Sequence, residues 1–162
     1  MEESSKGLLF AVRLRGTAAD NPDVRKTMES LRLERTFQAR LLENTPSNLG
    51  MLRSAKALVA WGEVDPEILG RLLVKRGERD GADGLDEGFV KLLGKTSFED
   101  LAKAVVAGEV GVQALYRAGL KPRFRLHPPR GGFKRSLRRA ATDGGELGYR
   151  GADINHLVKR MI

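Results

Sequence analysis

Lysine and arginine side chains crowd into one stretch, residues 121–139, which we call the basic arm. The arm holds eight of these cations and no acidic residue, with two phenylalanines and a histidine between them. Guanidinium groups bind phosphate oxygens through paired hydrogen bonds, and flat rings stack on unpaired bases. The arm therefore predicts a polyphosphate ligand, although a solvated basic tail has the same composition.

The backbone of the arm has its own signals. Three prolines and the Gly131-Gly132 pair exclude a continuous helix or a central strand over these residues. Such a segment has few apolar groups to offset the entropy of ordering it. We therefore expect the arm to be exposed and mobile, with cations that face something other than protein carboxylates.

The net charge of the chain is +8, and the whole excess of basic over acidic residues lies in its last quarter. Residues 1–120 hold 18 basic and 18 acidic side chains, whereas residues 121–162 hold 11 basic and 3 acidic. Arginine outnumbers lysine 19 to 10, which favours bidentate phosphate binding, although a GC-rich genome has the same effect.

The segment Gly94-Lys95-Thr96 resembles the end of a phosphate-binding loop. That loop needs a glycine five positions before Gly94, and Gly88 lies one residue too far away. A helix rather than a strand is also expected before it. Capping of a helix by Thr96 or Ser97 is the better interpretation, and a nucleotide-dependent enzyme is the weaker alternative.

Other catalytic and metal-binding chemistry has little support. The chain has no cysteine, and its two histidines, His127 and His156, are too few for a histidine-rich metal site. No pair of carboxylates is forced into the apolar environment that acid–base catalysis requires. We expect no enzyme, no metal, no cofactor and no small-molecule substrate.

Two features indicate an intracellular, soluble protein. The N-terminus is acidic, and the apolar run over residues 8–12 is broken by Arg13, so neither a signal peptide nor a membrane span is expected. The absence of cysteine agrees with an intracellular compartment. We expect no membrane partner.

Apolar residues alternate with period two over residues 8–14, 37–42 and 57–64, as is typical of strands. Asn21-Pro22 and Pro46-Ser47 begin two short helices between them. This order predicts a β-α-β-α-β core in which both helices cover one face of a small sheet and the other face stays open. Arg13 and Arg15 on that outer face are either solvated or turned toward RNA.

The rest of the chain predicts helices and loops. Residues 65–120 read as a helical insert, and since residues 65–109 hold 7 basic and 10 acidic groups, we do not expect the main phosphate-binding surface there. Residues 142–148 predict a loop, and residues 154–162 predict an amphipathic helix that packs on the core. We divide the chain into a core (1–64), a helical insert (65–120) and a basic arm with a closing helix (121–162).

Three sequence patterns carry a resemblance to a known family. Asn48-Leu-Gly-Met51, followed by Leu58-Val59, is similar to the compact core of the universal large-subunit ribosomal protein number thirty, called protein seven in the eukaryotic large subunit. Residues 124–132 (FRLHPPRGG), and residues 145–148 (GELG) that lead into residues 153–161, resemble its long, archaeal-type form. Where the family often has arginine before the Gly-Met pair, this chain has Leu49.

The resemblance implies an α+β fold: a three-stranded antiparallel sheet with two helices on one face, plus the helical insert and a C-terminal extension. It implies a structural constituent of the large ribosomal subunit that binds large-subunit ribosomal RNA beside neighbouring ribosomal proteins in the cytoplasm. A non-ribosomal basic nucleic-acid-binding protein is the alternative. The residues expected to contact RNA are Arg13, Arg15, Arg53, Lys121, Arg123, Arg125, His127, Arg130, Lys134, Arg135, Arg138, Arg139 and Arg150.

Overall fold

A computed structural model describes residues 7–16, 21–82 and 84–162 of the chain. It shows a mixed α+β fold with a six-stranded sheet. The strands are β1 (Leu8–Arg13), β2 (Gln38–Glu43), β3 (Val59–Glu63), β4 (Phe124–Arg125), β5 (Ser136–Ala140) and β6 (Gly145–Tyr149). The helices are α1 (Pro22–Ser30), α2 (Pro46–Ser54), α3 (Pro66–Arg76), α4 (Glu87–Leu92), α5 (Phe98–Ala107), α6 (Val112–Arg117) and α7 (Ile154–Met161).

The strand order across the sheet is β4-β2-β1-β3-β6-β5. β1 is antiparallel to both β2 and β3, and Phe10 pairs with Leu41 on one side and Gly62 on the other. The predicted antiparallel three-stranded sheet is therefore the centre of this sheet but too small to be the whole of it. β4 extends the sheet beyond β2, while β6 and β5 extend it beyond β3 with parallel pairing.

β6 lies where the sequence predicts a loop, so that prediction is wrong for residues 145–148. Its glycines remove the alternation of side chains that identifies a strand. A Cβ atom on Gly145 would lie 1.9 Å from the main-chain oxygen of Arg139, and Gly148 has a φ of +83°. Glycine at position 145 lets the backbone of β6 approach that of β5 closely, and this approach allows the two strands to pair.

The two helices of the core begin as predicted. Asn21 Oδ1 accepts a hydrogen bond from the main-chain N–H of Asp23 at 3.0 Å, and Thr45 Oγ1 accepts one from Asn48 at 3.2 Å. A proline follows each cap at the first helical position, where its missing N–H costs nothing. Among the residues that the structure describes, every helix is too short or too polar to span a bilayer.

Both faces of the sheet are buried, which corrects the predicted open face. On one face, α1 and α2 bring Met28 and Leu52 onto Leu9 and the neighbouring apolar residues of the sheet. On the other face, Phe10 lies in a cluster to which the insert helices and α7 contribute, with its ring centroid 6.1 Å from that of Phe124. This cluster takes residues from all three proposed segments, and the three-segment division of the chain stays a prediction.

Gly62 in β3 sits directly against the turn before α7. A Cβ atom there would lie 2.0 Å from the main-chain oxygen of Gly151 and 3.0 Å from Cγ2 of Ile154. Because backbone would have to move, we expect Gly62→Ala to lower the free energy of unfolding by about 2 kcal/mol.

A matched control lies in α2, where a Cβ atom on Gly50 would meet nothing within 4 Å. We expect Gly50→Ala to raise the free energy of unfolding by up to about 1 kcal/mol, because alanine is the better helix former. Urea unfolding measures both changes. Equal shifts in the two variants would contradict the close approach at Gly62.

Candidate nucleic-acid interface

The basic arm closes the C-terminal end of α7. The main-chain N–H groups of His127 and Arg130 donate to the carbonyl oxygens of Met161 and Arg160 at 3.1 Å and 3.0 Å. Carbonyls in the last turn of a helix have no partner inside the helix, so a neighbouring segment can satisfy them. The arm thus has main-chain partners that its composition does not reveal.

Side chains hold the arm in the same place. The Phe124 ring is 1% exposed and packs on Phe10, and the Arg160 guanidinium donates to the carbonyl oxygens of Arg130 and Gly132. The predicted exposure is therefore wrong for Phe124 and Pro129, which are buried, and the mobility of the arm stays a prediction. A buried aromatic ring and the end of a helix give this backbone contacts that its glycine and proline content does not predict.

His127, a predicted RNA contact, lies between two main-chain oxygens. Its Nδ1 is 2.6 Å from the oxygen of Pro128, and its Nε2 is 2.8 Å from the oxygen of Ile162. Both ring nitrogens are engaged within the protein. The side chain thus ties the arm to the main chain at Ile162.

Arg13 lies inside the protein, which corrects its predicted place on an outer face. It is 5% exposed, and its guanidinium donates to the main-chain oxygens of Arg15 at 2.9 Å and Leu33 at 2.8 Å. Burial lowers the pKa of the Arg13 guanidinium from its ordinary value. The side chain joins the end of β1 to the loop after α1, while the neighbouring Arg15 is half-buried.

Arg150 is also inside the protein. Its side chain is 5% exposed, and it forms salt bridges with the carboxylates of Glu146, whose side chain is 3% exposed, and of Asp153 at 2.8 Å. Glu146 in turn accepts a hydrogen bond from the main-chain N–H of Arg135 at 2.9 Å. The Glu146–Arg150 pair thus anchors the second half of the arm to β6.

Three cations of the arm do face protein carboxylates, contrary to the prediction. Arg125 Nε donates to Glu78 at 2.8 Å, Lys121 Nζ lies 3.5 Å from the same carboxylate, and Arg135 lies 3.8 Å from Asp153. Burial by itself raises the pKa of Glu78, but the hydrogen bond and charge of Arg125, with those of Lys121, hold it below its ordinary value. Glu78 lies 47 residues before Arg125, so sequence reasoning missed it.

The other predicted cations are exposed, and their side chains have no hydrogen bond or ion pair with any part of the chain that the structure describes. They are Arg53, Arg123, Arg130, Lys134, Arg138 and Arg139. We call this set the free cations. Five of them lie in the basic arm, so the arm combines main-chain contacts to the rest of the protein with unpaired positive charge.

The sixth free cation, Arg53, is exposed in the last turn of α2. On the same helix Leu49 is half-buried and packs against the apolar cluster beneath α1 and α2. The residue that replaces the family's frequent arginine therefore contributes to packing. Arg53 remains the cation that α2 offers to a ligand.

The Gly94-Lys95-Thr96 segment joins α4 to α5, and the predicted helix before it is confirmed. Ser97 Oγ accepts a hydrogen bond from the main-chain N–H of Asp100 at 3.2 Å, and the Thr96 hydroxyl donates to the Asp100 carboxylate at 2.6 Å. Lys95 Nζ lies 3.7 Å from Glu109. These contacts form a helix cap, and within the described ranges no three acidic or histidine side chains are grouped as a metal site.

Comparison with known proteins gives one consistent relationship. Residues 9–59 match the family model described as ribosomal protein L30p/L7e. The chain is 46% identical over 156 residues to large ribosomal subunit protein uL30 of Thermofilum pendens, a match that covers 96% of this chain and 99% of that protein. It is 44% identical over 160 residues to the uL30 of Ignicoccus hospitalis, with 98% and 99% covered. It is 40% identical over 156 residues to the uL30 of Methanobrevibacter smithii, with 96% and 100% covered.

Proposed function

The chain belongs to the ribosomal protein L30p/L7e family, and from this premise we propose that it binds large-subunit ribosomal RNA mainly through phosphate contacts. Members of the family are structural components of the large ribosomal subunit rather than enzymes. The chain is accordingly a cytoplasmic ribosomal protein that serves translation.

The observation that carries the proposal is an arm whose backbone is held by the rest of the protein and five of whose eight cations are free. Main-chain bonds to the end of α7 and the buried ring of Phe124 hold the arm, while Arg123, Arg130 and Lys134 remain exposed. A ligand that meets an ordered backbone does not have to offset the entropy of ordering it. Guanidinium and ammonium groups presented in this way suit a chain of phosphates.

We divide the predicted RNA contacts by their surroundings. The free cations are proposed to contact phosphates directly, and Arg15, Lys121, Arg125 and Arg135 to lie at the margin of the same surface. Arg13, His127 and Arg150, which are engaged by partners within the protein, are proposed to position that surface.

Neighbouring ribosomal proteins are proposed to contact the helical insert, residues 65–120. Two large apolar side chains are exposed there, Val74 at 57% and Leu92 at 64%. Exposed apolar groups of this size lose unfavourable contact with water when a partner covers them. The proposal therefore separates an RNA-facing arm from a protein-facing part of the insert.

Titration of RNA binding with salt tests the proposed function. We expect the wild-type protein to bind purified large-subunit ribosomal RNA of the same organism with a linear fall of log affinity against log salt. Phosphate contacts by the free cations, at roughly 0.7 to 0.9 units each, give a slope of about four to five. Filter binding at a series of potassium chloride concentrations measures it, and salt-independent binding would contradict the proposal.

A further inference from the structure

A cleft of about 340 Å³ lies where the C-terminal end of α3 meets β4. Lys75, Arg76 and Glu78 line it from the insert, and Arg125 lines it from the arm. We propose that this cleft is a second phosphate-binding site, which takes a phosphodiester group of ribosomal RNA. This inference rests on the proposed function, and it assigns RNA contacts to an insert whose overall charge argues against them.

Main-chain contacts hold together the two segments that form the cleft. The chain leaves α3 at Gly77, where a Cβ atom would lie 2.5 Å from the carbonyl oxygen of Leu73. The main-chain carbonyl of Glu78 then accepts a hydrogen bond from the N–H of Lys121 at 2.9 Å. The last turn of α3 and the start of the arm are therefore joined directly beside the cleft.

Charge in the cleft is strongly one-sided. The Glu78 side chain is only 19% exposed and binds both Arg125 and Lys121, whose side chains are 66% and 37% exposed. Lys75 and Arg76 add two more cations with no carboxylate partner among the described residues, and the Nε atom of Arg76 is buried without a hydrogen-bond partner. One inner carboxylate binds Arg125, which lines the cleft, and Lys121, which lies beside it, and the group as a whole keeps an excess of positive charge.

Compensation of the helix dipole is the alternative explanation for Lys75 and Arg76. Cations in the last turn of a helix stabilise it through the partial negative charge of the terminal carbonyls. That role requires neither Arg125 on the facing strand nor a cleft between them. It also predicts that removal of the two charges changes stability and leaves RNA affinity and its salt dependence alone.

The double variant Lys75→Gln/Arg76→Gln in the full chain separates the two explanations. Binding to purified large-subunit ribosomal RNA is measured against potassium chloride concentration, beside the wild type. If both side chains contact phosphates, the slope of log affinity against log salt should flatten by roughly 1.5 units. The control Lys91→Gln/Lys103→Gln removes the same charge from exposed positions of the insert outside the cleft, and we expect it to leave the slope unchanged.

A second variant, Lys75→Gln/Arg76→Lys, controls for a loss of folding, because it keeps the charge at position 76. We expect it to flatten the slope by about half as much as the double glutamine variant. If the wild type binds RNA in a salt-dependent way and the double variant has the same slope, the cleft does not bind phosphate, while the proposed function still stands. If the affinity of the wild type for RNA does not depend on salt, both the cleft site and the proposed function are contradicted. An unchanged slope with poorer incorporation into subunits but unchanged stability would mean that the two cations contact something other than RNA, and it would also overturn the inference.

Discussion

Replacement of Arg130, Lys134, Arg138 and Arg139 together by glutamine is expected to flatten the salt dependence of RNA binding by about three units of slope. Each of these exposed side chains lacks a protein partner among the described residues, so each is available to displace a counter-ion from the RNA backbone. Filter binding to large-subunit ribosomal RNA at a series of salt concentrations gives the slope. Thermal unfolding should be nearly unchanged, because no protein contact is lost.

A second quadruple variant controls for net charge alone. Lys26, Lys91, Lys103 and Arg117 are exposed on α1, α4, α5 and α6, and their replacement by glutamine lowers the charge of the chain equally. We expect this variant to keep a slope close to that of the wild type. The same flattening in both variants would mean that total charge, rather than the arm, governs binding.

Arg150→Met is expected to lower the free energy of unfolding by about 3 to 5 kcal/mol. The substitution leaves the carboxylate of Glu146, whose side chain is 3% exposed, without its cation. An unpaired buried charge costs much more than the loss of an exposed ion pair. Urea unfolding monitored by circular dichroism measures the change.

Removal of both charges of that pair provides the control. In Glu146→Gln/Arg150→Met no ion remains buried, and the amide oxygen of glutamine can still accept from the N–H of Arg135. We therefore expect the double variant to recover most of the lost stability. A double variant as unstable as Arg150→Met would show that shape, rather than charge pairing, determines stability there.

Local signals predict much of the core from the sequence. The alternation over residues 8–14, the cap at Asn21 and the helix start at Pro46 are short-range features, since each depends on side chains within a few positions of one another. The amphipathic closing helix is of the same kind, and α7 buries Ile154 and Leu157 as predicted. Such elements need no knowledge of the rest of the fold.

Long-range contacts account for what the sequence did not show. Phe124 packs on Phe10, which lies more than a hundred residues earlier, so no local pattern shows that both faces of the sheet are covered. The partner of Arg125 is Glu78, which belongs to the insert. Composition locates a surplus of cations, but only the fold separates those with carboxylate partners from those without.

The position of β5 at the end of the sheet has a consequence for the chain before it reaches the ribosome. β5 has a strand partner on one side only, so its outer edge presents main-chain groups that a second copy of the protein could pair with. Arg138 and Arg139 are exposed on this strand, and two such strands brought side by side would repel each other. This repulsion favours a monomeric chain before assembly, and the charges that keep copies apart are among those that we propose to contact RNA.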